Sequence, residues 1–144
     1  MEMETTGKVV VQARIDNVFD MYEAQQGRLP QDKVRSVEVS DAAVDTGATM
    51  LSLPRRLIEQ LGLTRVRSHT ARTSVGTFTF GIYGPARLTV QGRECLVEAA
   101  EVSDDCPVLI GQVPLELLDF VIDPKGGRLI GNPEHGGQRM IDLL

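Results

Sequence analysis

The stretch Ala42-Ala43-Val44-Asp45-Thr46-Gly47-Ala48-Thr49 decides how the rest of the chain is read. An apolar run ends at one acid, a hydroxyl residue and a glycine follow, and Pro54 opens a predicted helix a few residues on. The pattern sets a carboxylate at the mouth of a tight turn, with a strand behind it. Gly47 suits a close backbone approach or a positive φ, and the Thr46 hydroxyl suits a hydrogen bond across an interface. Asp-Thr-Gly alone is also an ordinary strand-to-turn signal, because Asp and Gly are common in turns.

Upstream, Lys8 to Asn17 alternates as a strand. Val9, Val11, Ala13 and Ile15 fall on one face, Gln12, Arg14 and Asp16 on the other. Val18, Phe19, Met21 and Tyr22 continue apolar and extend it, and Glu23 to Lys33 reads as a loop with Gly27 and Pro30. Val34, Val37 and Val39 build the strand that leads into the acid. Downstream the period changes. Pro54 to Leu63 is a short helix with Ser52 as N-cap, Pro54 in the first turn, Gly62 as the stop, and Leu57, Ile58 and Leu61 buried.

Val66–Thr70 and Thr77–Ile82 form two arms of a hairpin with its tip near Arg72-Thr73-Ser74-Val75-Gly76. Ala86–Val90 and Arg93–Val102 form another, turned at Gln91-Gly92. Ser103 to Pro107 is a loop. Val108-Leu109-Ile110-Gly111 is a short apolar strand, followed by a second short helix at Pro114–Leu118. Phe120–Asp123 and Arg128–Ile130 pair across a turn, and Asn132 to Gly137 is loop. Many short strands with two brief helices predict a closed or highly curved β domain.

The 144 residues suffice for one domain with its own core, and no linker or internal repeat divides them. With Lys and Arg at 15 against Asp and Glu at 20, the net charge is −5, and no basic run points to nucleic acid. Cys95 and Cys106 do not form a Cys-x-x-Cys pair; this suits a reducing compartment, with one disulfide left open. The acidic, polar start Met1–Thr6 does not read as a signal peptide, and no apolar run is long enough to span a bilayer. The expectation is a cytoplasmic protein without membrane or nucleic-acid partners. His69 and His135 have no partners at ligand spacing, so no metal and no cofactor are assigned.

Three signals now stand in order: Val44-Asp45-Thr46-Gly47-Ala48, a hairpin with small residues at its tip, and Leu109-Ile110-Gly111 leading into a helix. Together they resemble the retropepsin-like aspartic proteases, the single-domain branch, over Lys8 to about Ile130. The resemblance implies a mostly β fold, a small closed β-barrel of the acid-protease type with two short helices. It implies a domain over residues 8–131, with a flexible N-terminus at 1–7 and a C-terminal tail at 132–144. It also implies Asp45 as the catalytic acid and Thr46, Gly47 and Ala48 as its supporting loop. Thr73, Ser74, Val75 and Gly76 become a flap over substrate. Leu109, Ile110 and Gly111 become subsite or core. The single-glycine tip and the long Glu23–Lys33 loop depart from the viral pattern.

Only one Asp-[Ser/Thr]-Gly is present; Asp104-Asp105 and Asp123 lack the following turn. Two carboxylates sharing a proton are needed to activate water and polarise a carbonyl. The protease reading therefore requires a homodimer acting on a polypeptide substrate, with one Asp45 per subunit at the two-fold axis. A non-catalytic dimeric peptide-binding or scaffold domain on the same fold is the alternative. A phosphotransferase reading of Asp45-x-Gly47-x-Thr49 ranks behind, since no Gly-x-x-x-x-Gly-Lys-[Ser/Thr] occurs.

Overall fold

Strand-forming runs separated by turn residues build nine strands and three α-helices in a computed structural model that describes residues 9–143. The expected flexible N-terminus, the strand start at Lys8 and the apolar end at Leu144 lie outside the described residues. In chain order the elements are β1 (Val9–Asn17), α1 (Val18–Gln25), β2 (Ser36–Val44), β3 (Leu51–Pro54), α2 (Arg55–Leu61), β4 (Thr64–Thr73) and β5 (Gly76–Val90). They continue with β6 (Arg93–Val102), β7 (Leu109–Ile110), α3 (Gln112–Leu118), β8 (Phe120–Asp123) and β9 (Arg128–Gly131). Strand makes up 50% and helix 21%, so the molecule is mostly β as expected.

The main sheet runs β1-β2-β7-β3-β6-β5-β4, and β1 also pairs with β5. Six strands thus close into a ring, and β4 hangs outside it on β5 alone. Closure leaves the ring strands without free edges. Its interior holds Ile15, Leu51, Leu53, Leu88 and Ile110, each 0% exposed. Each such side chain contributes about 1.5–3 kcal/mol of burial. The helices α2 and α3 add Leu57, Ile58, Leu61, Leu115 and Leu118 to that core.

Several local expectations change. Val18 to Gln25 is a helix, not a continuation of β1, because Asn17 caps it by accepting from the Asp20 N–H at 3.0 Å. Ser52 is not the N-cap of α2; it lies in β3, and Pro54 occupies the cap position without a side-chain bond. The missing cap comes from a distant loop, where Asp104 Oδ1 accepts from the Arg56 N–H at 2.8 Å. Gly62 does end α2, at φ 63°, a conformation that favours glycine. The hairpin strands run longer than expected: β5 passes through Gly84-Pro85 by a bulge instead of breaking there. The turn at Gln91-Gly92 is as read, with φ 49° and 81°.

Three buried polar residues pin α1 against the ring. Asp16, expected on the solvent side of β1, is 1% exposed. It remains compatible with burial because Arg14 donates to one carboxylate oxygen at 3.0 Å and Arg87 donates twice to the other. Asn17 Nδ2 donates to the Leu61 carbonyl at 2.8 Å, joining the start of α1 to the end of α2. Asp20 receives the Arg35 side chain and backbone N–H, and that pairing holds its carboxyl below the usual carboxylate range. Replacing Asn17 by Ala leaves the Leu61 carbonyl and the Asp20 N–H without these partners. A loss of about 1–3 kcal/mol in urea unfolding is expected.

A second clamp holds the C-terminal segment. Asp119, at φ 60° after α3, accepts from Met140 N at 3.0 Å and lies 2.6 Å from His135 Nδ1. Arg93 donates to the carbonyls of Leu118, Asp119 and Gly137 and stacks over Phe120 at 4.5 Å. The segment beyond Gly131 therefore packs locally as far as Met140. His135, followed by the Met140 N–H, holds the Asp119 carboxyl below its usual range. Asp20 and Asp119 are both depressed in the folded state. Their stabilisation is present above the ordinary value near 3.8 and is lost as pH falls through the lower folded values. The urea midpoint is expected to fall as pH drops below about 5, and Asp119→Asn to flatten that fall.

Candidate functional site

Asp45 stands where β2 ends, and its surroundings are built from backbone. The strand β7 lies between the two arms of the loop: Ala43 and Val44 pair parallel with Leu109 and Ile110, while Leu51 and Ser52 pair antiparallel with them. Asp45 N donates to the Ile110 carbonyl at 3.0 Å and Ala48 N to the Asp45 carbonyl at 3.1 Å. On the far side, Gly111 N donates to the Met50 carbonyl at 3.1 Å. The carbonyls of Ala48 and Thr49 accept from Gln112 N and Val113 N at 2.8 and 3.0 Å. The loop thus supplies acceptors that the first turn of α3 lacks internally.

This close approach explains Gly111. Its φ is −88°, which any residue adopts, so conformation is not the constraint. Space is: a Cβ there would sit 2.5 Å from the Met50 carbonyl oxygen and 2.7 Å from that of Ala48. Gly47 answers to a similar constraint. Its φ is not among the positive ones, so that half of the expectation is replaced by the other. A Cβ at Gly47 would crowd Asp45 Oδ1 at 3.2 Å, and the Gly47 N–H donates to that same oxygen at 2.9 Å.

The structure brings two of the three sequence signals together. Asp45, Thr46 and Gly47 are exposed and Ala48 is half-buried, above a buried Ile110 and Gly111. Ile110 belongs to the core, and of this trio Leu109 alone keeps accessible surface. Among the described residues, Asp45 is in no ion pair and accepts one side-chain hydrogen bond, from Gly47. No three His, Cys, Asp or Glu side chains among the described residues cluster as a metal site.

The third signal stands apart. Thr73, Ser74, Val75 and Gly76 form the exposed tip of the β4–β5 hairpin, held by Thr73 Oγ1, which donates to the Gly76 carbonyl at 3.0 Å. Val75 is 95% exposed. No hydrogen bond among the described residues joins this tip to the Asp45 loop. An apolar recess of about 180 Å³ flanks the loop, lined by Met50, Leu51, Leu96, Val113 and Leu117 among others. Sequence reading did not assign Met50 or Val113, because their spacing places them on no shared face until α3 docks beneath the loop.

The outlying residues resolve as structural. His135 serves the Asp119 clamp, and His69 stacks on Phe80 with ring centroids 6.3 Å apart. Both cysteines are free thiols, and burial pushes Cys95 up to about 11. No described helix is long and apolar enough to cross a membrane. Gly111→Ala is expected to force the loop away from β7 and cost about 1–3 kcal/mol or more in urea unfolding. Backbone amide shifts should then move at residues 45–50 before those of β4.

No family model matches the chain, and no curated protein matches it. Among solved structures, the solution structure of the simian foamy virus (mac) protease is similar over 76% of this chain and 93% of that one, with 19% identity and a TM-score of 0.49.

Proposed function

We propose that the chain is an aspartic endopeptidase that works as a homodimer, with one Asp45 from each subunit forming the catalytic dyad. The observation that carries this reading is the contrast at Asp45. Backbone bonds from three elements fix its loop, yet its carboxylate is left exposed with no cationic partner among the described residues. The paired carboxylates of this chain, such as Asp16 and Asp20, sit instead against arginines. An acid held rigidly and kept unpaired is poised for chemistry, and its exposure leaves room for a second copy.

In the mechanism, two Asp45 carboxylates across a two-fold axis share one proton, because like charges about 3 Å apart do not both ionise. That splitting is a known property of this enzyme class. The ionised member takes a proton from water as it attacks the scissile carbonyl, and the protonated member donates to the carbonyl oxygen. Thr46 braces the two loops across the axis, and Gly47 lines the bound chain. The substrate lies extended, pairing with backbone, and the hairpin tip Thr73–Gly76 closes over it to exclude water. The non-catalytic peptide-binding alternative is favoured by one detail: the Gly47–Asp45 bond is an Asx turn that needs no catalysis to explain it.

Cleavage of a mixed-peptide library from acid to neutral pH separates the two. Wild type is expected to cut, with specific activity rising with protein concentration as dimers form. Asp45→Asn keeps the Oδ1 acceptor for Gly47 and is expected to lose activity by at least about a thousandfold. Silence of both proteins under conditions where sedimentation shows a dimer would leave the binding module.

A further inference from the structure

From Gln60 to Arg93 the sequence contains no Asp or Glu, in a chain whose net charge is −5. That span includes the whole β4–β5 hairpin, which carries Arg65, Arg67, Arg72 and His69. These four residues lie within eight positions on one strand of a projecting arm. The arm pairs only with itself beyond Ile82, and β4 has no buried residue.

Strand alternation divides the arm into two unlike faces. One face holds Arg67, His69 and Ala71 opposite Ile82, Phe80 and Phe78. Ile82 is 0% exposed yet lies outside the core cluster, which Tyr83 on the opposite face packs against. The arginine on this first face is neutralised: Arg67 pairs with Glu98, which it holds below the usual carboxylate range. The other face holds Ser68, Thr70 and Arg72 opposite Gly81, Thr79 and Thr77, and the pairing of Arg65 with Tyr83 puts Arg65 on the same side. Here no acid answers either arginine among the described residues. The face is a row of hydroxyls between two exposed guanidinium groups, all able to donate to carboxylates.

We infer that this hydroxyl-and-arginine face is an exosite that selects polypeptide substrates carrying an acidic segment beside the cleavage site. Its role in substrate choice rests on the protease reading above; its affinity for acidic peptide does not. Charge complementarity carries the choice of occupant: an acid-free, cationic arm on an otherwise acidic protein repels acidic chain least and attracts it most here. Nucleic acid would meet the same two arginines but also the −5 charge of the whole chain, which disfavours a long polyanion.

The test uses full-length Asp45→Asn and fluorescent peptides of one core sequence flanked by Asp/Glu, by Ser or by Lys. The acidic peptide is expected to bind about tenfold more tightly than the Ser version at about 30 mM salt, with most of the preference gone at about 300 mM. Arg65→Ser with Arg72→Ser should erase the preference while leaving the thermal midpoint within about 2 °C. In wild type, the same peptides should show the preference in kcat/KM. Cleavage without acidic preference would overturn the exosite and leave the protease standing. Acidic preference in binding without any cleavage would uphold the face and remove the protease. Tighter binding of a single-stranded oligonucleotide than of the acidic peptide, or a changed sedimentation coefficient in the double variant, would overturn the inference by assigning the face to nucleic acid or to a second copy.

Discussion

Gly111 has no side chain, and the loop carrying Asp45 is built on that fact. The backbone of Ala48 to Met50 lies where a Cβ would be, with carbonyl oxygens 2.5 and 2.7 Å from that position. Five backbone bonds then follow from one contact, two from the strand behind the acid and three from the loop's far arm to Gly111 and the helix beyond it. Well-packed interiors transmit displacement, so a loop resting directly on the core inherits the core's rigidity. The acid is thus tied through backbone to Ile110 beneath it, although its carboxylate faces solvent.

The same economy of partners runs through the rest of the molecule. Ring closure by β1 and β5 uses the edges of six strands, and α2 and α3 reach the core through Leu57, Ile58, Leu61, Leu115 and Leu118. Each α-helix start draws its acceptor from a different source: Asn17 for α1, Asp104 for α2, and the carbonyls of Ala48 and Thr49 for α3. Buried charges are paired, Asp16 by two arginines and Asp20 by one. No buried side-chain nitrogen or oxygen among the described residues lacks a hydrogen-bond partner. Against that background an exposed, rigid and unpaired Asp45 and an acid-free projecting hairpin are departures, and departures from local consistency are where function concentrates.

The two departures differ in kind. At Asp45 the geometry is a half-site: one carboxylate cannot both accept and donate in a single step, so chemistry requires a second. On the hairpin the feature is electrostatic and complete within one chain, because Arg65 and Arg72 lie on the same face of one ladder. A dimeric enzyme would thus use symmetry for its reaction and a single subunit's charge for its choice of substrate.

Period and turn chemistry made much of this legible from the chain alone. The alternation in β1, the stop at Gly62, the Gln91-Gly92 turn and the apolar Leu109-Ile110 strand are local properties, set by residues within a few positions of one another. The signals missed were those whose partners are distant. Val18 to Tyr22 reads as strand until Asn17 is seen to cap a helix there, Asp16 reads as solvent-facing until Arg87 arrives from β5, and Ser52 reads as the cap of α2 until Asp104 folds back. Sequence alone determined that an acid, a hydroxyl and a glycine follow an apolar strand, and that a glycine stands before the last α-helix. Only the tertiary structure decided that those two glycines guard one site, because hard-core exclusion between backbones acts through space and has no period along the chain.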